Sequence, residues 1–420
     1  MNCKLTAMLK AEIIAVGSEL LTPDRTDTNS LWLTEKLNEI GIEVSAKSII
    51  GDDEERLEKC FRAALEESDL VISTGGLGPT EDDVTRQVAA RAVDRELVLD
   101  EAVLEEIKKR FLHWGREMPE TNKRQAFVID GGEVLENPNG SAPGMYLAIG
   151  GKGLAVLPGP PREMKPMFEN HVLPRILERA GKVKVRRRVL KVSGMGESAV
   201  DELISPIYKE YASVRTTILF NKSEIEVHLA AKSESADECE KMLAELTVKM
   251  REKLGIALYS ESGESLEQVV GRMLKTAGKT VALAESCTGG LIAERLTDVP
   301  GSSAYFIEGA VTYSNEAKIR TLKVPTEVLD RHGAVSAETA EAMARGIRER
   351  AGTDYGISVT GIAGPDGGTE EKPVGLVFIG CADETGVKTL RLIMPGDRFL
   401  IRWRSSQTAL DLLRRRMLKI

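Results

Sequence analysis

Apolar positions in the first 170 residues come either as short unbroken runs or as helical stripes. EIIAVG, from Glu12 to Gly17, is an apolar run of strand length. In TDTNSLWLTEKLNEIG, Leu31, Leu37 and Ile40 recur as one helical face, and Gly41 ends the segment. EVSAKSII reads as a second strand. GDDEERLEKCFRAALEES reads as a helix capped by Asp52 or Asp53, with acidic residues in the first turn, where the helix dipole favours them. DLVISTGG is a fully apolar strand that runs into a glycine loop. This βαβαβ order predicts a parallel sheet covered on both faces. Ligands of such sheets bind beyond the carboxyl ends of the strands. GSELLTPDRTDTNS and TGGLGPTEDD both fall there and are expected to face one cleft.

The pattern changes between Val183 and Gly255. A strand RVLKVSG, a helix through SAVDELISPIYKEY, two β runs around FNKSE and the helix DECEKMLAELTVKMREKLG predict a small α+β unit. ESGESLE reads as a linker and helix cap. A second α/β region follows: strand VALAES, helix TGGLIAERLTD, strand FIEGAVTY, helices SNEAKIRTL and SAETAEAMARGIRER, strands YGISVTG, GLVFIGCA and VKTLRLIM, and a closing helix from Asp397. The expected fold class is α/β: two domains with mainly parallel sheets, residues 1–172 and 259–420, flanking a small α+β module over 173–258. No internal repeat is visible.

A length of 420 residues requires more than one core, and 42% hydrophobic with 29% charged residues is a globular composition. The net charge of −8 argues against a general nucleic-acid binder, which needs a basic face. The basic runs KVKVRRR and the Arg414–Arg416 triplet read as solvated surface. Cys3, Cys60, Cys239, Cys287 and Cys381 are dispersed and odd in number, so reduced thiols of a cytoplasmic protein are expected, with no zinc site. No apolar run reaches the roughly 20 residues of a membrane helix, and the first residues read as a leader before a strand rather than a signal peptide.

In TGGLGPTEDD, Gly75, Gly76 and Gly78 let the backbone approach a ligand and expose amides. Thr74 and Thr80 add hydroxyls, and Asp82 and Asp83 add hard oxygens suited to a divalent cation. The alternative is a strand-to-helix turn capped by Asp82. The loop is not GxxxxGK[ST], nor GxGxxG followed by an acidic residue. Glu19, Asp24, Asp27 and Asn29 form a second polar cluster, and LPGPPREM carries Arg162, able to clamp a phosphate.

In the last third, AESCTGG places Ser286, Cys287, Thr288, Gly289 and Gly290 where a strand meets a helix, a combination suited to a phosphate. Cys287 is one candidate nucleophile, since a helix amino end lowers a thiol pKa, but no histidine adjoins it. A serine activated by lysine is the other route. GSSAYF offers Ser302 and Ser303; VTYSNEAK offers Tyr313, Ser314 and Lys318. TGIAGPDGG, with Thr360, Gly361 and Gly364, is a binding loop at a strand's end, and GxSxG is absent.

VGSELL, DTNS, GDDEERL, TGGLGPTEDDVT and LPGPPREM, in this order, resemble the amino-terminal domain of the bacterial CinA (competence/damage-inducible) proteins, itself related to molybdopterin-binding domains. AESCTGG, VTYSNEAK, TGIAGPDGG and PGDR continue the resemblance, so it spans essentially the whole chain. The resemblance implies two activities. The first domain is a metal-dependent ADP-ribose pyrophosphatase; the last deamidates nicotinamide mononucleotide and needs no cofactor. A KH-like middle module and a homodimer are also implied; the charge and the lack of a long apolar run add the expectation of no nucleic-acid and no membrane partner.

By the same resemblance, a divalent ion of unspecified identity sits on Asp82, Asp83 and Asp27. Thr74, Gly75, Gly76, Gly78, Thr80 and Arg162 contact the nucleotide. In the last domain Ser303 attacks the carboxamide and Lys318 takes its proton, assisted by Ser286, Tyr313 and Thr360. Thr288, Gly289, Gly290, Gly361 and Arg398 bind the substrate, with Arg402 as the alternate to Arg398. Two features depart from the family pattern. TPDRTDTNS replaces a glycine-containing loop after ELL, and GMGES does not match the GxxG clamp of nucleic-acid-binding KH domains. The middle module is therefore read as structural. A molybdopterin-binding protein, or a competence-related interaction protein with one active domain, is the alternative.

Overall fold

The computed structural model describes residues 9–179 and 184–419. Its contacts divide the chain into two compact units, Met1–Arg186 with Lys232–Cys239, and Arg187–Ala231 with Glu240–Ile420. In the first, β1 (Lys10–Val16), β2 (Glu43–Ile50), β3 (Leu70–Thr74), β6 (Glu133–Leu135), β7 (Gly144–Ile149) and β8 (Lys152–Leu157) form one sheet ordered β2-β1-β3-β8-β7-β6, beside a small pair of β4 (Leu97–Leu99) and β5 (Phe127–Ile129). β2, β1, β3 and β8 run parallel; β7 and β6 add an antiparallel edge. Successive side chains enter opposite layers: Ile14 and Val16 pack with Leu57 and Phe61, whereas Ile13 packs with Leu33, Leu37 and Phe168.

The helix Thr28–Glu39 corrects one expectation. Its buried face is Asn29, Leu33 and Leu37, four residues apart, while Leu31 is 57% exposed. Ile40 lies past the helix, and Gly41 takes φ +85° just beyond it. Asn29 thus sits on the face that packs inward, at the end nearest β3. Of the two candidate caps for Glu54–Glu67, Asp53 holds Arg56 N at 3.1 Å. Asp52 instead accepts from Ser18 N at 3.0 Å. Helix Thr85–Ala92 follows the glycine loop, and helix Glu101–His113 fills the stretch that the strand-and-helix pattern left unassigned.

The middle module holds β9 (Lys184–Ser193), β10 (Val214–Asn221), β11 (Glu224–Ser233) and β12 (Leu258–Ser260), ordered β10-β11-β9-β12, with helices Glu197–Tyr208 and Ala236–Leu254. β13 (Val281–Glu285), β14 (Phe306–Val311), β15 (Tyr355–Gly361), β16 (Leu376–Asp383) and β17 (Gly386–Ile393) build the last sheet in the order β14-β13-β15-β16-β17. β14, β13 and β15 are parallel; β16 and β17 continue the sheet antiparallel.

The expected helix starts carry side-chain caps. Ser314 accepts from Ala317 N at 3.1 Å, Ser336 from Thr339 N at 3.2 Å and Asp397 from Leu400 N at 2.8 Å. The short helix Thr326–His332 was not expected. Within the second unit Gln407 donates to Glu224 at 2.8 Å and accepts from Arg295 at 2.5 Å, so the closing helix Arg398–Met417 holds the β10–β11 hairpin. Arg414 and Arg415 pair with Asp411, and Arg416 with Asp383, so this basic triplet is structural. The run KVKVRRR falls partly outside the described residues. Cys60, Cys239, Cys287 and Cys381 are free thiols. No helix among the described residues is long and apolar enough to cross a membrane.

Candidate functional sites

The first site lies beyond the carboxyl ends of β1, β3 and β8, a cleft of about 810 Å³ lined by Asn29, Thr74, Gly75, Gly76, Asp82 and Asp83, among others. Gly75 (φ +109°) crosses the end of β1 so closely that a Cβ would stand 2.0 Å from the Val16 carbonyl oxygen. At Gly76 a Cβ would stand 2.2 Å from Thr85 Oγ1, and at Gly78 it would stand 2.3 Å from Asp83 Oδ2. Gly75 and Gly76 (φ +63°) are therefore required by the loop's own packing before any ligand is considered.

Thr74 Oγ1 donates to the Pro158 carbonyl at 3.0 Å and accepts from Asn29 Nδ2 at 3.0 Å, and Asn29 Nδ2 also donates to the Gly159 carbonyl at 2.7 Å. An amide that donates to a carbonyl must present its nitrogen there, which fixes the orientation of Asn29. Its Oδ1 is then a buried acceptor with no partner. Asn29 belongs to the polar cluster at the end of the first strand, and its place at a helix start is the sequence signal for this role.

Asp83 and Asp27, expected to hold a metal ion, also make hydrogen bonds within the protein. Thr80 N and Thr80 Oγ1 both donate to Asp83 Oδ2, at 2.9 and 2.5 Å, so Asp83 ties the loop, and exposed Thr80 does not line the cleft. Asp27 caps its helix by accepting from Ser30 N at 3.0 Å. Among the described residues no three His, Cys, Asp or Glu side chains gather as a metal site. The cleft carries six carboxylates, Glu19, Asp27, Asp52, Asp82, Asp83 and Glu163, against Arg25, so its charge suits a cation but its geometry is not a ready coordination shell. Arg162 is exposed beside Glu163 and does not line the cleft.

The second site lies where β13, β14 and β15 end. Lys318, in helix Asn315–Leu322, is 1% exposed. Its Nζ reaches the carbonyls of Thr312 at 2.9 Å and Tyr313 at 3.1 Å, and Ser286 Oγ at 3.3 Å. Burial drives its pKa below the usual lysine value, and no carboxylate among the described residues pairs with it. A neutral amine has two N–H donors and one lone pair. Nζ donates to both carbonyls and to Ser286 Oγ; once a proton is lost, the two carbonyls keep the donors and the lone pair can face the hydroxyl of Ser286.

Ser303 is elsewhere. β14 pairs with β13 from Val281↔Phe306 to Glu285↔Val311, and Val281 N donates to the Tyr305 carbonyl at 2.8 Å. Ser303 therefore precedes β14 at the amino end of the sheet, and six strand residues at roughly 3.3 Å each place it about 20 Å from the Ser286–Lys318 pair of the same chain. The expected Ser303–Lys318 dyad is not formed within one chain; Ser286 occupies the place beside the lysine.

The helix start after Ser286 is also not the open anion site expected. Glu285, 1% exposed, accepts from Gly290 N at 3.0 Å, Ile292 N at 3.2 Å and Ala293 N at 2.9 Å. A carboxylate from the chain already occupies the position that a phosphate would take. Reading AESCTGG for hydroxyls and thiol passed over this residue, whose only signal was an acidic side chain ending a buried strand.

Gly289 (φ +62°) and Gly290 (φ +95°) shape the turn, and Thr288 is fully buried, its carbonyl accepting from Arg402 Nη2 at 2.7 Å. Arg402 is a brace for the loop. Arg398 Nη1 donates to the Gly364 carbonyl at 2.8 Å and Nη2 to Tyr313 Oη at 3.4 Å, which links the TGIAG loop to an exposed tyrosine. Thr360 donates to the Ala334 carbonyl at 2.7 Å, and at Gly361 a Cβ would stand 2.7 Å from the Leu376 carbonyl, so both serve the frame of the site. Cys287 is sealed in: burial pushes its thiol up to about 12.

Residues 263–417 match the CinA C-terminal domain, 187–260 the damage-inducible protein CinA KH domain and 12–178 the family described as "Probable molybdopterin binding domain". A CinA-like protein of Solibacter usitatus is 49% identical over 97% of this chain and 98% of its own length. The chain belongs to the CinA family. A CinA-like protein of Koribacter versatilis is 45% identical over 97% of this chain and all of its own length. Among solved structures, the protein CinA from Thermoplasma acidophilum is 34% identical over 40% of this chain and 98% of its own, with a TM-score of 0.38. The competence/damage-inducible protein from Agrobacterium tumefaciens is 42% identical over 36% of this chain and 96% of its own, with a TM-score of 0.35.

Proposed function

We propose that this CinA protein deamidates nicotinamide mononucleotide to nicotinic acid mononucleotide, with Ser286 as nucleophile and Lys318 as base. The burial of Lys318 without a carboxylate partner among the described residues, 3.3 Å from Ser286 Oγ, carries this reading, because burial lowers the pKa of an amine and lets it act as a base toward the adjacent hydroxyl. The amine takes the Ser286 proton as Oγ bonds to the carboxamide carbon. The ammonium then returns that proton to the departing nitrogen as the C–N bond breaks, which releases ammonia and leaves an ester. Lys318 next takes a proton from water, whose oxygen attacks the ester carbon, and Ser286 recovers its proton as the acid leaves. Tyr313 and Arg398 stand at the mouth to orient the nucleotide. Purified full-length protein should release one ammonia per nicotinamide mononucleotide consumed; release from no nicotinamide nucleotide overturns the proposal.

For the first cleft the supported reading is cleavage of ADP-ribose at its pyrophosphate. The free acceptor of Asn29 suits a ribose hydroxyl or an adenine amine, and the glycine loop stands at the strand ends. Among the described residues the acidic side chains do not gather as a metal shell. Six carboxylates repel bare pyrophosphate, so cleavage is expected to require an added divalent cation. Molybdopterin binding without cleavage would favour the other branch of this fold. A homodimer in a cytoplasmic setting completes the proposal: β14 is an edge strand with Ile307 and Val311 exposed, and sedimentation reports the mass.

A further inference from the structure

At the opposite end of the last sheet from Ser286, a second cavity of about 510 Å³ gathers five cations: Lys279, Arg348, Lys388, Arg416 and Lys419. They come from the start of β13, the end of helix Ala337–Ala351, β17 and the end of the closing helix. Three carboxylates line the same cavity, Asp354, Asp383 and Glu384, leaving a net charge of +2 in a chain whose total is −8.

Two of those carboxylates are saturated by the protein. Asp354 accepts from Lys279 Nζ at 2.6 Å, Thr280 N at 2.9 Å and Thr280 Oγ1 at 3.0 Å. Asp383 accepts from Arg416 Nε at 2.6 Å and Nη2 at 2.7 Å and from Thr385 N at 2.8 Å, which outweighs its burial and holds its pKa down to about 2. Arg348 is steadied through its Nε alone, which donates to the Asp354 carbonyl at 3.0 Å, so its two Nη groups keep their donors for the cavity. Tyr355, half-buried at the start of β15, adds an aromatic wall. Like charges from separate segments repel one another, and a multivalent anion is the ligand that relieves them.

We propose that this cavity binds a small phosphorylated anion, distinct from both candidate active sites. The first cleft has the opposite charge balance, with six carboxylates against one arginine. The dyad is one strand length away, about 20 Å for the seven residues of β15. The shared chemistry is a pyrophosphate group, carried either by inorganic pyrophosphate or by a nucleoside diphosphate whose base would lie against Tyr355.

The test uses the full chain, with inorganic pyrophosphate and ADP as probes and hydrogen exchange as readout, because it locates binding by segment. Protection is expected over residues 383–388 and 416–419 with pyrophosphate, and over Tyr355 as well if the nucleotide is the better fit. Arg348→Met combined with Lys419→Met should weaken that protection at least 10-fold, while ammonia release at saturating substrate stays within about 2-fold of the parent. Should the double variant fail to fold, Arg348→Gln alone is expected to weaken it about 3-fold. Pyrophosphate protection without ADP protection assigns the inorganic anion. No protection of these segments by either probe, or protection unchanged in the variants, overturns the proposal.

Discussion

Lys318 Nζ stands 3.3 Å from Ser286 Oγ, and its other two contacts are carbonyl oxygens. This single relationship chooses between the serines of the last domain. Ser286→Ala is expected to cut kcat for ammonia release by about 1,000-fold or more. Ser303→Ala, at the far end of β14, should cost less than about 10-fold. A dead Ser303→Ala beside an active Ser286→Ala would transfer the role to Ser303, necessarily of another copy.

The depressed pKa of Lys318 gives a pH profile with a definite sign. The amine is the active form, so kcat/KM should rise with pH through the lowered value and level off above it. Lys318→Arg stays charged and should remain inactive throughout. Stability follows the same direction. Between the lowered value and roughly 10.4 the unfolded chain binds more protons than the folded one, so the folded protein gains relative to Lys318→Met as pH rises through that window. Chemical denaturation at several pH values measures the difference, and a constant gap would show a charged lysine.

Cys287→Ala should retain most activity, and the parent should react slowly with thiol reagents below alkaline pH. The thiol is buried and its pKa is pushed up to about 12, so almost no thiolate exists at neutral pH. Rapid loss of activity on alkylation of Cys287 would contradict the serine assignment.

Glu285→Ala removes the acceptor of three backbone amides at once. The expected cost is about 3 kcal/mol, read as a lower Tm, with deamidation lost as the loop loosens. Glu285→Gln keeps one acceptor but turns an NH2 toward those amides, and should fall between the two. A variant as stable as the parent would mean that water replaces the carboxylate without penalty.

In the first unit, Gly75→Ala would drive a Cβ to 2.0 Å from the Val16 carbonyl and is expected to destabilise by more than about 3 kcal/mol. Asp83→Asn tests a subtler point. The loop loses its charged acceptor for Thr80, so KM for ADP-ribose should rise more than kcat falls. Equal loss of kcat and kcat/KM would instead make Asp83 part of the chemistry.

Most elements of the fold follow from periodicity. Runs such as LVIST are buried throughout, and polar residues at Asp53, Ser314, Ser336 and Asp397 cap the helices they precede. Leu31 was misassigned because spacing alone does not say which of two overlapping stripes faces inward; Leu33 and Leu37 meet Ile13 and Ile72, and Leu31 meets solvent. The site residues were legible as motifs and illegible as geometry. Ser303 and Lys318 lie 15 positions apart in the chain, yet a whole strand separates the ends at which they sit. Asp27 and Asp83 have the chemistry of metal ligands and are engaged in holding backbone. The basic cavity near Arg348 could not be read at all, since its cations come from four distant segments.

The carboxylate of Glu285 has one more consequence. Because the segment from Val281 to Thr297 carries its own counter-ion, it needs no substrate to become ordered. Ser286, the proposed nucleophile, therefore sits on a turn that the chain itself fixes, and inhibitor discovery can begin from the unliganded form. Compounds should be aimed at the Ser286 hydroxyl and the arginine at the mouth, because the helix start behind them is already taken.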